Sequence, residues 1–494
     1  MSDLFFFPST GIRVPRAILL AIDDFSLPLR RNLCYYLSKP KVWPRPVLTP
    51  SRDNPNAPDY LATHFYGSVL YDEGKPFDGA QGKFRMWYYA VHLGDGPKDL
   101  REGPMCYAES DDGIHWVKPA LRQFEFKGSL DHNAIKLPEL RTEGNFVIKD
   151  ELDPDPARRY KLVYNYRPPD RSWTIRTATS PDGLHWTAGP EGPFHTFIEH
   201  ASVYRFNGLF FVSGQMHNRG EGGHAQGRQG HVIVSPDFDH WLQEWGDAFL
   251  LPEPADPNQR GSRKPYDQVH IGVGAAPFDN VLVGLYCIWH NRVDFHEISG
   301  DLGLLVSNDG FHFREPVKGQ VYLSSQDSPV TPGPSGIWPT VLCQAGGILN
   351  VGGETRIYHG RWRNSPYGDE YYGEVALATL PRDRWGALGL FPDQAEGSVW
   401  SCPVTLPANG CQVILNADRA CDMRVEIADE RFNLLPAYSG EQSGVTQVEG
   451  GLDCPVAWPA GGLERLGGEI VRFRVQVKRQ RTSEPRLYAI CLRM

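Results

Sequence analysis

Short apolar runs alternate with polar turns along most of this chain, and one turn recurs. The runs Val232-Ile233-Val234 and Leu304-Leu305-Val306 are each followed by a serine that opens a Ser-x-Asp phrase. Four copies of that phrase stand in the sequence. They are Ser110-Asp111-Asp112-Gly113-Ile114-His115-Trp116, Ser180-Pro181-Asp182-Gly183-Leu184-His185-Trp186, Ser235-Pro236-Asp237-Phe238-Asp239-His240-Trp241 and Ser307-Asn308-Asp309-Gly310-Phe311-His312-Phe313. An apolar run, a tight turn and an aromatic predict a strand that ends in a turn, with a buried ring opening the next strand. Asp-Gly supplies the positive φ that such a turn requires. The repeated histidines and Asp112, Asp182 and Asp309 are therefore expected to fix the turns and to do no chemistry.

The copies lie roughly 55 to 70 residues apart, the length of a four-stranded propeller blade with long loops. Two apolar strands precede each turn. In the first unit they are Gly67-Ser68-Val69-Leu70-Tyr71 and Phe84-Arg85-Met86-Trp87-Tyr88-Tyr89. A fifth unit lacks the phrase but keeps the strand pair Gly347-Ile348-Leu349-Asn350 and Thr355-Arg356-Ile357-Tyr358-His359. From about residue 394 the repeat gives way to alternating strands such as Cys421-Asp422-Met423-Arg424-Val425-Glu426-Ile427. The expectation is an all-β protein: a five-bladed β-propeller over 41–385 and a C-terminal β-sandwich over 394–494. Residues 1–40 would be a lead-in packed on the propeller.

Bulk composition agrees with many short strands. There are 13 Trp, 21 Tyr and 24 Phe beside 51 Gly and 41 Pro in 494 residues. The formal net charge of -9 and the absence of a basic stripe argue against nucleic acid and membranes as partners. Nine scattered Cys include no CxxC pair, so neither a thiolate zinc site nor a disulfide framework is implied. The Leu4-Phe5-Phe6-Phe7 start is too short for a secretion signal and lacks a basic flank, which leads to a cytoplasmic expectation.

Repeated Ser-x-Asp-Gly-x-x-Trp turns over five units, followed by a sandwich, resemble the five-bladed-propeller glycoside hydrolases, families 32, 43, 62, 68, 117 and 130. The resemblance covers nearly the whole chain. It implies carboxylates near a central axis, at the start of the innermost strand of successive blades. Ile198-Glu199-His200-Ala201-Ser202-Val203-Tyr204 is similar to the general-acid segment of family 43. Family 32 motifs are missing: no Arg-Asp-Pro or Glu-Cys stands where that family would put it, and Asp53-Asn54-Pro55-Asn56 has the wrong order for its nucleophile. Retention or inversion is left open.

Glycoside cleavage needs a protonated carboxyl at the leaving oxygen and an ionised one opposite it. The catalytic candidates are Glu199 as acid, Asp59 before the first inner strand as base or nucleophile, and Asp267 at the fourth blade start. Substrate-binding candidates are His64, Glu143, His200, His217, His270, Trp289, His290, Trp338 and Arg361, since rings and polar groups at blade tops suit sugar faces and hydroxyls. No cofactor is called for, and the partner is an oligosaccharide or glycoside, with a homo-oligomer left open. Two other readings stand. A metal-dependent lyase or lactonase would use blade-start histidines such as His64, His200 and His270, together with His217, His224, His231 and His290, although no HxH or HExxH spacing is present. A non-catalytic sugar-binding propeller would bind without turnover. Arg361 and Arg363 are the basic residues a phosphorylase could use.

Overall fold

The computed structural model describes residues 3–73, 82–96, 99–168, 173–193, 198–215, 228–251, 267–290, 295–363, 370–480 and 483–494. They are nearly all β, with only short 3-10 turns besides the strands. One four-stranded antiparallel sheet is made of Thr142–Lys149, Tyr160–Tyr166, Thr174–Ser180 and Thr187–Glu191. The next is made of Glu199–Phe206, Leu209–Gln215, Gly230–Ser235 and Gly246–Phe249.

Three more units merge into one twelve-stranded sheet. The fourth unit holds Asp267–Phe278, Val281–His290, Ser299–Ser307 and Val321–Leu323. The fifth holds Ile348–Val351, Glu354–Arg363 and Tyr372–Pro381, with Val341–Cys343 also on Glu354–Arg363. The first holds Ala62–Asp72, Lys83–Leu93 and Leu100–Ser110. A single parallel pair joins fourth to fifth, Gly300 to Val341, and another joins fifth to first, Gly373 to Ala62. Lys41–Val42 pairs along Tyr372–Pro381, so the start of the repeat region supplies an outer strand to its last unit. Packing on both faces explains sequences such as Phe84-Arg85-Met86-Trp87-Tyr88-Tyr89, which is buried throughout.

The repeated turns are structural, as expected. In the first copy the Ser110 hydroxyl accepts from the Gly113 amide at 2.8 Å, and Asp112 Oδ1 accepts from the Ile114 and His115 amides, each at 2.8 Å. Gly113, Gly183 and Gly310 all have positive φ, and in the third copy Phe238 takes φ 73° in their place. The Asp237 carboxyl is pulled down to about 2 by the His240 amide in spite of the cost of burial.

Each turn is also gripped by the preceding unit. Trp87 Nε1 donates to the Gly183 carbonyl at 2.8 Å, Tyr204 Oη to Gly310 at 2.8 Å and Tyr358 Oη to Gly113 at 2.8 Å. The third turn is held differently, with the Lys161 ammonium 5.5 Å over the Phe238 ring. A local motif thus becomes an inter-unit lock.

The N-terminal segment, expected as a lead-in packed on the repeats, touches them through Ile18 on Asn280 and Asp23 on Asn308, and it also adds strands to the C-terminal sheets. Phe5–Phe7, Ile12–Val14 and Leu29–Arg31 join Glu396–Trp400, Val404–Thr405, Met423–Asp429 and Ile470–Lys478 in one sheet. Arg16–Leu20 and Leu33–Leu37 join Gly386–Leu390, Gln412–Asp418, Gly451–Pro455 and Arg486–Arg493 in another. Alternation does the work here: Val471, Phe473, Val475 and Val477 face inward while Arg472, Arg474, Gln476 and Lys478 face out. The inward set shares one apolar cluster with Val273, Leu282 and Tyr286 of the fourth unit, so these sheets pack on the repeat region.

Candidate functional site

Four inner strands break register near their starts, between His64 and Ser68, Glu143 and Phe146, His200 and Ser202, and His270 and Val273. A bulge bends a strand and re-aims a side chain. The fourth is the most strained: Ile271 has φ 51°, rare for a β-branched residue, and Gly272 has φ 91°. A Cβ at Gly272 would lie 2.5 Å from the Gly214 backbone, so only glycine fits. Gln344 Nε2 donates to the carbonyls of His270 and Gly272 at 2.7 and 2.6 Å and holds the bulge from the fifth unit.

Aromatic rings line the space these starts surround. His64 stacks on Tyr89 at 4.9 Å between centroids, with Tyr66 at 4.7 Å and Trp362 at 5.3 Å. His270 lies 4.3 Å from Trp289, and Trp289 lies 6.3 Å from Trp362. Tyr371 completes the ring wall, 6.3 Å from both His64 and Trp362. Burial lowers the pKa of His64 to about 3, so it is a neutral wall group.

Two carboxyls, Glu143 and Glu199, act on each other and on these rings. Burial pushes the pKa of Glu143 well above the carboxylate range, and the charges of Glu199 and Glu102 push it further; Arg228 and Arg141 oppose them. Glu199 Oε2 accepts from Gln215 Nε2 at 2.5 Å. Gln215 is fully buried, and its Oε1 accepts from the Ile271 amide at 2.7 Å, which fixes the orientation of its amide. Glu102 is itself paired with Arg141 at 2.8 Å.

A chain of three side chains faces the carboxyls. Arg228 donates to His270 Nδ1 at 2.9 Å, and His270 Nε2 is 2.7 Å from Tyr66 Oη. A guanidinium only donates, so His270 Nδ1 carries no proton. In the neutral ring Nε2 then carries it and donates to Tyr66, which frees the phenolic proton of Tyr66 for another acceptor. Burial keeps Tyr66 a phenol, well above its ordinary pKa.

The sequence candidates separate into groups. Glu143, Glu199, His64, His270 and Trp289 come together in the basin. His200 is buried just behind it, with Nε2 3.0 Å from the Val163 carbonyl and its ring on Phe146. Asp267 and His290 pair on the rim of the fourth unit at 2.9 Å, and His290 Nε2 reaches Asp301 at 2.9 Å. Asp59 is buried, and Lys118 donates to it at 2.5 Å and Tyr88 at 2.8 Å. Arg361 donates to the Pro329 carbonyl at 2.6 Å and lies 3.7 Å from Glu374, and Trp338 donates to Glu370 at 3.1 Å, on the fifth unit. His217 and His224 lie outside the described residues. Sequence reasoning missed Tyr66, Glu102, Arg228 and Tyr371. Tyr66 stands two positions after His64, but the bulge between His64 and Ser68 breaks strand alternation there, so its ring beside His64 could be seen only in the structure. Among the described residues no three His, Cys, Asp or Glu side chains are grouped to hold a metal ion.

No family model matches the chain. The curated "Uncharacterized protein Rv1502" of Mycobacterium tuberculosis is 28% identical over 163 residues, 29% of this chain and 48% of that protein. The chain thus spans about half the length of the curated relative it matches. Similar solved structures include a β-1,2-mannobiose phosphorylase from Listeria innocua, with TM-score 0.48 and 12% identity over 70% of this chain and 97% of that one. A glycoside hydrolase family 43 arabinoxylan arabinofuranohydrolase from Bacillus subtilis has TM-score 0.40 and 10% identity over 91% and 99%. An N-acetylgalactosamine deacetylase from F. plautii has TM-score 0.44 and 15% identity over 71% and 96%. Several of these similar structures are glycoside hydrolases or phosphorylases.

Proposed function

We propose that the chain is a carbohydrate-active enzyme that cleaves a glycosidic bond of an oligosaccharide, on a five-bladed propeller (41–385) backed by a sandwich (394–494 with strands from 1–40). The observation that carries this reading is the carboxyl pair, Glu143 raised by burial and by the charge of Glu199, inside a wall of rings. Unequal carboxyls are what acid–base cleavage requires. Glu143 is the acid that protonates the leaving oxygen, and Glu199, held by Gln215, is its partner across the bond. This reverses the role first assigned to Glu199. The rings of His64, Tyr89, Trp289 and Trp362 stack on the sugar and exclude water, which strengthens each charge–dipole contact inside. Tyr66 offers its phenolic proton to a substrate oxygen on which negative charge grows. Asp59 and Asp267 are positioning groups, because each is already engaged by a cation.

The test is turnover of a panel of aryl furanosides, aryl pyranosides and short oligosaccharides, with and without inorganic phosphate, by wild type, Glu143→Gln and Glu199→Gln. The reading expects turnover that falls by several orders of magnitude in both variants. Phosphate-dependent turnover would name a phosphorylase. Wild-type turnover in either variant would sink the carboxyl pair.

A further inference from the structure

The sheet that contains Glu396–Trp400 and Ile470–Lys478 carries a groove of 890 Å³ on its outer face, remote in sequence from every residue of the basin. Strand register explains its lining. Arg31 pairs with Ser398, Ser398 with Gln476, and Gln476 with Arg424. Directly paired residues share a face, so these four form one row across four strands. At about 4.8 Å per strand spacing, the row spans about 14 Å of backbone. The next row is Leu29, Trp400, Arg474 and Glu426 by the same register. There Arg474 lies 5.1 Å over the Trp400 ring, and Phe432 meets that ring edge-on at 5.2 Å.

Charge in the groove is unequally satisfied. Glu426 accepts from Arg474 and Gln476, and Lys478 pairs with Glu396 at 2.9 Å. Asp422 at the groove edge pairs with Arg419. Arg31 and Arg424 are exposed, and neither guanidinium makes an ion pair or hydrogen bond among the described residues, although the Arg31 charge helps hold the Glu396 carboxyl down. Two open guanidinium forks thus bracket a Ser–Gln hydrogen-bonding row beside an aromatic wall. Each fork matches a carboxylate in bidentate fashion, and the hydroxyl and amide between them match sugar hydroxyls.

We infer that this groove binds an acidic oligosaccharide, a uronate-bearing chain of a few sugars laid across the four strands. The choice of a glycan rests on the proposed function; the groove's preference for carboxylates rests on Arg31 and Arg424 alone. A long polyanion such as nucleic acid is disfavoured by the net charge of -9 on the whole chain.

Calorimetric titration with a galacturonate trimer and with a neutral xylose trimer tests it, on wild type, Arg31→Gln/Arg424→Gln and Glu143→Gln. The expected result is binding of the acidic trimer that weakens at least tenfold in the double arginine variant and at raised salt, and is unchanged in Glu143→Gln. Glycoside turnover by the double arginine variant should match wild type, which separates this site from the basin. Equal affinity for both trimers, affinity indifferent to the two arginines, or equal binding of a short poly-glutamate would overturn it. Both arginines are exposed, so the variants should melt with wild type; a Lys pair at the same positions, which keeps charge but loses the fork, should bind at intermediate strength.

Discussion

Tyr66 Oη and His270 Nε2 lie 2.7 Å apart, one on the first inner strand and the other on the fourth, and Arg228 fixes which of them donates. The pair spans the basin and leaves the phenolic proton facing no oxygen or nitrogen acceptor among the described residues, with Cys343 Sγ 3.6 Å from the same Tyr66 oxygen. Tyr66→Phe keeps the ring and removes only that proton. The expected loss in kcat is about 10²-fold, the size seen when one preorganised donor is removed, with a smaller change in KM. Steady-state kinetics on the substrate found in the panel checks it. An unchanged kcat would leave Tyr66 a packing residue.

The pH profile follows from the carboxyl pair. As the proposed acid Glu143 must be protonated to act, and burial with the neighbouring charges raises its pKa. Activity should therefore fall as pH rises through that raised value. Glu102→Gln removes one raising charge and leaves Arg141 without its partner, so both effects lower the pKa of Glu143. The alkaline limb of kcat/KM should move to lower pH in this variant. A limb that stays or moves up would assign the acid elsewhere.

The turn locks predict a stability effect away from the site. The Tyr204 hydroxyl donates to the Gly310 carbonyl inside the core. Tyr204→Phe keeps the ring on Phe211 and strands that carbonyl, at a cost of about 1–3 kcal/mol. The denaturation midpoint should drop while activity of the folded protein is kept. No drop would mean that water or a shifted group replaces the hydroxyl.

These examples show what a sequence can and cannot disclose. The Ser-x-Asp turns were legible because their bonds run within five residues, from Ser110 to His115 for instance. Inner-strand starts were legible through the apolar runs that follow them, which brought Glu143, Glu199, His64 and His270 forward together. The pairings of charge were hidden. Asp59 stands before the first inner strand in the sequence, but nothing local announces that Lys118, 59 residues on, donates to it. Nothing in the sequence around Glu143 shows that burial and the charges of Glu199 and Glu102 raise its pKa. Arg228 belongs to no motif and acquires meaning only from His270. The fate of residues 1–40 was equally unreadable, since their strands find partners several hundred residues later, as Phe6 does with Thr405.

His290 gives a last prediction. Hydrogen bonds to Asp267 and then Asp301 raise its pKa to about 9, against the opposing effect of burial. Burial alone would raise the Asp301 carboxyl, but the His290 bond, the Ser325 bonds and the His290 charge together hold it down at about 2. A histidine with a raised folded pKa contributes stability that is fully present below its unfolded value near 6.5 and is lost as pH rises through about 9. The contribution is about 3 kcal/mol at most. His290→Gln should flatten the fall in melting temperature between those pH values and lower stability at pH 6. It should also release Asp267, which the imidazolium otherwise holds on the rim. If wild type and variant lose stability in parallel from pH 6 to 9, the Asp267–His290–Asp301 bridge is not formed in solution, and Asp267 returns as a free carboxylate that could serve the basin.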